Sequence, residues 1–403
     1  MVSISRRELL TWFALAPTLP RFLVQSAHAA APDAAGDQPI VVVVRMLGGN
    51  DGLNAVVPFR DDRYYKARPT IAIPSHDVVR MTAEHGLHPQ LIDVRRLIDE
   101  GHAGIVQGVG YAQSSRAHAR ATEIWETGST AEDAPVHGWL GRYLDHACEC
   151  GTSPTAGVQF GDALGRTLST ASGISRSIGN PRLLLDMDPQ VLGAVRAATP
   201  SNRFAYLRQM ENALGDASRQ LHRAVNGTGR RFDYPDTSFG QSLRWAGDMI
   251  ETGCPTRVYY VTIGSFDPPD APSFDTHIDQ VGKHQLLFSE LGRSVRAFAD
   301  HMRRAGQFNR VLLLTFSDFG RMVAENRTRG TEHGDASILF YVGGAVRAGL
   351  VGEPSDLGRV RDGALEATVD FRQVYADVLE HWLRVDPRRI LGDTHNPFPI
   401  VKA

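Results

Sequence analysis

The chain has 403 residues, 42% hydrophobic and 22% charged, with a formal net charge of -2. That is the composition of a folded globular protein large enough for a substantial core. The near-neutral charge argues against nucleic acid or an anionic membrane surface as partner, and three scattered cysteines argue against a disulfide framework or a zinc knuckle.

Residues 1–29 read as an export signal outside the fold. Ser5-Arg6-Arg7-Glu8-Leu9-Leu10 is a twin-arginine pattern, an apolar stretch follows, and Ala27-His28-Ala29 offers small residues for cleavage. The apolar stretch is short and broken by Pro17 and Pro20, which argues against a transmembrane anchor in the mature form. The expected location is periplasmic or secreted, by a route that carries folded and often cofactor-loaded proteins. Residues 30–38 read as a linker and 39–403 as the folded domain.

The domain opens on an unbroken apolar run, Ile40-Val41-Val42-Val43-Val44, which predicts a strand buried on both faces of a parallel sheet. It ends in Gly48-Gly49-Asn50-Asp51-Gly52. These are turn residues, yet a carboxylate there lies at the carboxyl edge of the sheet, where open α/β folds bind ligands. A helix is predicted through Leu91, Val94, Leu97 and Ile98, then a strand over 103–110. The strand leads into Ser114-Ser115-Arg116-Ala117-His118 and an alanine-rich helix to about Thr127. A strand, a serine-containing turn and a helix start is a geometry that presents a nucleophile.

A helix over 138–148 follows, with Trp139, Leu140, Tyr143 and Leu144 on its apolar side. Residues 151–230 carry a weak, mainly helical pattern with one short strand at 156–160, and read as an insertion beside the sheet. A helix over 238–252 and a strand over 257–263 lead to a polar loop ending in Phe274-Asp275-Thr276-His277. A long helix follows, striped by Leu287, Leu291, Val295, Phe298 and Met302. A buried strand over 310–316 ends in Ser317-Asp318-Phe319-Gly320-Arg321, and a polar loop carries Glu332-His333-Gly334. A strand over 337–342 and a helix over 370–383 close the pattern. Alternating strands and helices imply a mostly parallel sheet covered on both faces.

Asp51, Asp275 with His277, Asp318 and His333 all fall at one edge of that sheet. Singly, each is a cap, a turn residue or a loop histidine. Together, three carboxylates and two imidazoles suit a two-metal centre, since both are donors for zinc, manganese and iron. Calcium is a further possibility for the carboxylates, and the sequence does not choose among these ions.

The sequence resembles the uncharacterised bacterial domain-of-unknown-function family 1501, a member of the alkaline phosphatase and sulfatase superfamily. The carriers are Gly48-Gly49-Asn50-Asp51-Gly52-Leu53-Asn54, Leu87-His88-Pro89, Arg116 with His118, Gly138-Trp139-Leu140-Gly141-Arg142, Phe274-Asp275-Thr276-His277, Phe316 to Arg321, His333-Gly334 and Asp370-Phe371-Arg372. The resemblance implies an alkaline-phosphatase-like three-layer α/β sandwich and an exported metal-dependent hydrolase of phosphate or sulfate esters, acting on a small anionic ester. It also implies an order of parts. Asp275, His277 and His333 would hold one divalent metal, and Asp51 with Asp318 a second. Ser115 or Ser114 would be the nucleophile, with Arg116 beside it. Asn50, His118 and Arg321 would contact substrate.

Two positions depart from the pattern. Family members often carry serine where this chain has Ala117, and aspartate where it has Glu332. No Cys-x-Pro-x-Arg signature points to a formylglycine nucleophile. The departures leave an alternative open, a metal- or anion-binding or assembly protein without turnover. A metal-free serine hydrolase using Ser115 is a third reading, and no G-x-S-x-G elbow accompanies it.

Overall fold

The computed structural model describes residues 38–147, 156–161, 164–172, 175–179, 232–268 and 271–402. The expected export signal, nearly all of the expected linker and most of the expected insertion lie outside the described residues.

In chain order the first elements are β1 (Ile40–Met46), α1 (Gly52–Ala55), β2 (Val56–Val57), α2 (Asp62–Ala67), β3 (Val79–Arg80) and β4 (Gly86–Leu87). Next come α3 (Ile92–Asp99), β5 (Ala103–Gly110), α4 (His118–Thr127), α5 (Trp139–Ala147), β6 (Gly157–Phe160) and β7 (Ser175–Ile178). Then follow α6 (Ser238–Glu251), β8 (Val258–Ile263), α7 (Gln280–Arg304), β9 (Val311–Ser317), β10 (Arg321–Glu325) and β11 (Thr331–His333). The last are β12 (Ser337–Gly343), β13 (Gly349–Val351), β14 (Val360–Arg361), β15 (Ala364–Leu365), β16 (Val369–Asp370), α8 (Phe371–Asp377) and α9 (Pro387–Leu391).

The main sheet runs β13-β5-β12-β9-β1-β8-β6-β7, with β16 also on β5. Its pairings are parallel except those of β12, which runs antiparallel to β5 and β9. β1 sits at the centre, and its pleat explains the three layers. Ile40, Val42, Val44 and Met46 enter one core, under α3, α6 and α7. Val41 and Val43 enter the other, under α4, α5 and α8. The three-layer, mostly parallel α/β sandwich expected from the sequence is the architecture observed. The two described strands of the stretch read as an insertion, β6 and β7, extend the main sheet at its edge.

Because β9, β1 and β8 are parallel neighbours, their carboxyl ends lie side by side. The segments carrying Asp51, Asp275 and Asp318 therefore leave one edge together. A small sheet, β11-β10-β15-β14, lies after that edge in the chain and brings in His333.

Candidate metal centre

Gly48 makes the close approach of the β1 and β8 loops. Its backbone is left-handed (φ +100°), and a Cβ there would lie 2.4 Å from the amide nitrogen of Asp275. The amide of Phe274 donates to the Leu47 carbonyl at 2.8 Å, so Asp275 emerges at a fixed place.

Three imidazoles converge on the Asp275 carboxylate. His277 Nε2 and His333 Nε2 each lie 3.1 Å from Oδ1 and 2.9 Å from each other. His118 Nε2 lies 3.3 Å from Oδ2. Each ring is held at its other nitrogen: His277 Nδ1 by Glu332 Oε2 (3.0 Å), His333 Nδ1 by the Arg116 carbonyl (2.7 Å) and His118 Nδ1 by Asp318 Oδ2 (2.9 Å). Phe319 packs against the rings of both His118 and His333. Such partners fix the ring that a ligating nitrogen belongs to. Donors about 2 Å from one tetrahedral ion stand roughly 3.3 Å apart, so the spacings among Asp275 Oδ1, His277 Nε2 and His333 Nε2 suit a single divalent cation. The four side chains are 21–34% exposed, which leaves the cluster open to solvent on one side.

The charges divide the cluster: Asp275 and His277 are held in the forms that bind a cation, and His118 in the form that carries a proton. Burial alone would raise the Asp275 carboxyl, but hydrogen bonds from His118, His333 and Arg321 hold it well below the carboxylate range. Hydrogen bonds to Asp275 and Asp318 push His118 up to about 9. Burial and the nearby Arg321 guanidinium hold His277 below its ordinary value.

The structure thus brings Asp275, His277, His333 and His118 together, and it reassigns the other expected residues. Asp51 is not at the cluster. Its carboxylate caps α1 through the amides of Leu53 and Asn54, accepts from Gln280, and forms a fully buried ion pair with Arg68 at 2.6 Å. Burial alone would raise Asp51, but Arg68 holds it below its ordinary value. Asp318 is fully buried and bonds His118 and Arg45, so it orients an imidazole. Asp51 and Asp318 share no partner, and the expected second metal pair is not assembled.

Asn50 is fully buried, and its backbone N–H donates to Ser317 Oγ at 2.6 Å, which ties the glycine loop to β9. Arg321 is also buried. It donates to the carbonyls of Gly49, Phe274 and Thr331 and to Asp275 Oδ1 at 2.6 Å. It clamps the Asp275 carboxylate. Arg116 spends its guanidinium on Asp335, at 2.9 and 3.1 Å.

Neither expected serine meets the cluster. The Ser115 hydroxyl accepts from the Ala117 amide, and its own amide donates to Tyr111 Oη at 3.0 Å. Ser114 lies against the same tyrosine. Ala117 itself occupies the N-cap of α4, next to His118, and supplies no side-chain cap. The first-turn N–H groups of α4 therefore have no capping hydroxyl. Sequence reading missed Arg68, Arg45 and Gln280, whose roles come from partners far along the chain. It also missed the ring-holding part of Glu332.

No curated protein matches the sequence. Among solved structures, the chain is similar to a phosphonate monoester hydrolase from Silicibacter pomeroyi, with 12% identity over 90% of this chain and 78% of that one and a TM-score of 0.40. It is similar to a sulfatase from Pseudoalteromonas sp., with 12% identity over 85% and 69% and a TM-score of 0.37. A protein in the alkaline phosphatase superfamily from Vibrio parahaemolyticus gives 9% identity over 84% and 72% and a TM-score of 0.38. The model of a family described as protein of unknown function (DUF1501) matches residues 138–400, more than half of the chain, and the chain belongs to that family.

Proposed function

We propose that the chain is an exported metal-dependent hydrolase of small phosphate or sulfate esters, with Asp275, His277 and His333 as the metal-holding residues and His118 beside them. The observation that carries this reading is the convergence of three imidazole Nε2 atoms on one carboxylate, each ring held from behind. A divalent cation bound there supplies Lewis acidity toward an ester oxygen. Arg321 keeps Asp275 ionised and aimed. The open first turn of α4 adds N–H groups for the anionic oxygens of the substrate.

Ala117 has no hydroxyl and neither Ser114 nor Ser115 meets the cluster, so the attacking oxygen is water's. His118 keeps Nδ1–H toward Asp318. Its Nε2 faces the cluster, placed to pass a proton to the leaving oxygen. Ala117 also favours a second reading, metal and anion binding without turnover, because a serine at that N-cap would stand beside the cluster.

The deciding experiment is elemental analysis of the purified mature protein, joined to a hydrolysis panel of phosphomonoesters, phosphodiesters and sulfate esters. Bound metal with turnover is the expected result, with turnover lost and the metal content lowered in His333→Ala. Bound metal with no turnover selects the binding reading. A folded chain without metal rejects both. Export is tested separately: Arg6→Lys with Arg7→Lys is expected to leave the protein in the cytoplasm, and unchanged export would reject the twin-arginine assignment. No helix of the described residues is long and apolar enough to cross a membrane.

A further inference from the structure

A second mixed cluster of carboxylates and imidazole lies far from the first. α7 begins at Gln280, which bonds Asp51 beside the sheet edge, and carries His301 near its other end. At 1.5 Å per residue the two are about 30 Å apart along the helix. Asp248 and Glu251 stand three residues apart in the last turn of α6, which puts them on one face. His301 Nε2 points at that face, 2.9 Å from Glu251 Oε2 and 3.9 Å from Asp248 Oδ1.

The ring is built into its place. Tyr234 Oη meets His301 Nδ1 at 3.1 Å, and Phe232 stacks on the imidazole with centroids 3.9 Å apart. Gly247 provides the room, since a Cβ there would lie 2.5 Å from His301 Nδ1. His301 is fully buried and Asp248 is 7% exposed. One oxygen of Asp248 has no hydrogen-bond donor, and among the described residues Arg244 stands 3.7 Å from it.

We propose that Asp248, Glu251 and His301 form a structural site for a zinc-class divalent cation that staples α6 to α7. The donor set is one imidazole nitrogen turned by a partner on its far nitrogen and two carboxylates, with a coordination position left for water. A divalent cation also answers the charge problem. The Asp248 carboxylate is nearly sequestered and one of its oxygens lacks a donor, which is costly for a charged group. Without a cation, burial pushes the Asp248 carboxyl up to about 7. The site is independent of the proposed hydrolytic centre.

The test uses the full mature chain with His277→Ala and His333→Ala, which removes two imidazoles of the sheet-edge cluster. Equilibrium dialysis against zinc, read by elemental analysis, is expected to give one equivalent per chain and a raised melting temperature. Adding Asp248→Asn, which keeps the side-chain volume, is expected to abolish both, and His301→Gln to do the same. Circular dichroism confirms that each variant is folded. No zinc in the double variant would overturn the proposal. Zinc retained undiminished after Asp248→Asn would overturn it equally. Neither result depends on whether the sheet-edge cluster binds metal or turns over esters.

Discussion

Asp51 makes three kinds of bond at once: it caps α1, accepts from Gln280 and neutralises Arg68, all out of contact with solvent. Removing one partner of a buried ion pair strands the other charge, at a cost of about 3–5 kcal/mol. Asp51→Asn is therefore expected to lower unfolding free energy by about that amount while leaving the metal content of the folded fraction intact. Urea unfolding and elemental analysis check the pair of outcomes; metal lost at unchanged stability would return Asp51 to the ligand set. The sequence placed this acid at the correct edge of the sheet. It did not disclose the occupant, because Arg68 and Gln280 reach it from 17 and 229 residues away. Asp275, by contrast, was legible as a ligand candidate because His277 stands two residues on, in the same loop.

At the scale of elements, α4 starts without a capping side chain although Ala117 has the extended backbone of an N-cap (φ -102°, ψ 121°). Ala117→Ser supplies an acceptor for a first-turn amide, and a gain of about 1 kcal/mol is expected in chemical denaturation. A loss would show that the new hydroxyl meets the imidazole cluster unfavourably. His88 caps the short turn leading to α3 by accepting from the Gln90 amide, and burial pushes it down to about 4. A neutral buried imidazole binds fewer protons than its unfolded counterpart between about pH 4 and 6.5. Its contribution is complete above that window and is lost as pH falls through it, about 2 kcal/mol by pH 5. Asn caps as well but does not titrate there. His88→Asn should therefore flatten the fall in unfolding free energy between pH 7 and pH 5 by that amount, and an unchanged slope would remove His88 as its source.

At the scale of the whole molecule, the parallel run β9-β1-β8 gathers three loops at one edge and α7 ties that edge to the far end of the helical layer. A ligand that binds only the folded state stabilises it by RT ln(1 + [L]/Kd), about 2.7 kcal/mol at a hundredfold excess over Kd. Zinc is expected to raise the unfolding free energy of the wild type. The share lost in the His277→Ala, His333→Ala variant is expected to be of that size at the same saturation. Equal zinc response in the two proteins would exclude the sheet-edge cluster as a metal centre.

What the sequence by itself determined is the order of strands and helices, the two-sided burial of β1 and the common edge on which the acids and imidazoles fall. Those follow from periodicity and turn chemistry, which are local and written in neighbouring residues. Tertiary structure alone decided which acid faces which base. The choice of Arg68 for Asp51, of Arg321 for Asp275 and of His118 for Asp318 depends on distances between segments far apart in the chain. A buried carboxylate takes whichever donors the packed loops bring to it, because leaving it unpaired costs more than any local preference offsets.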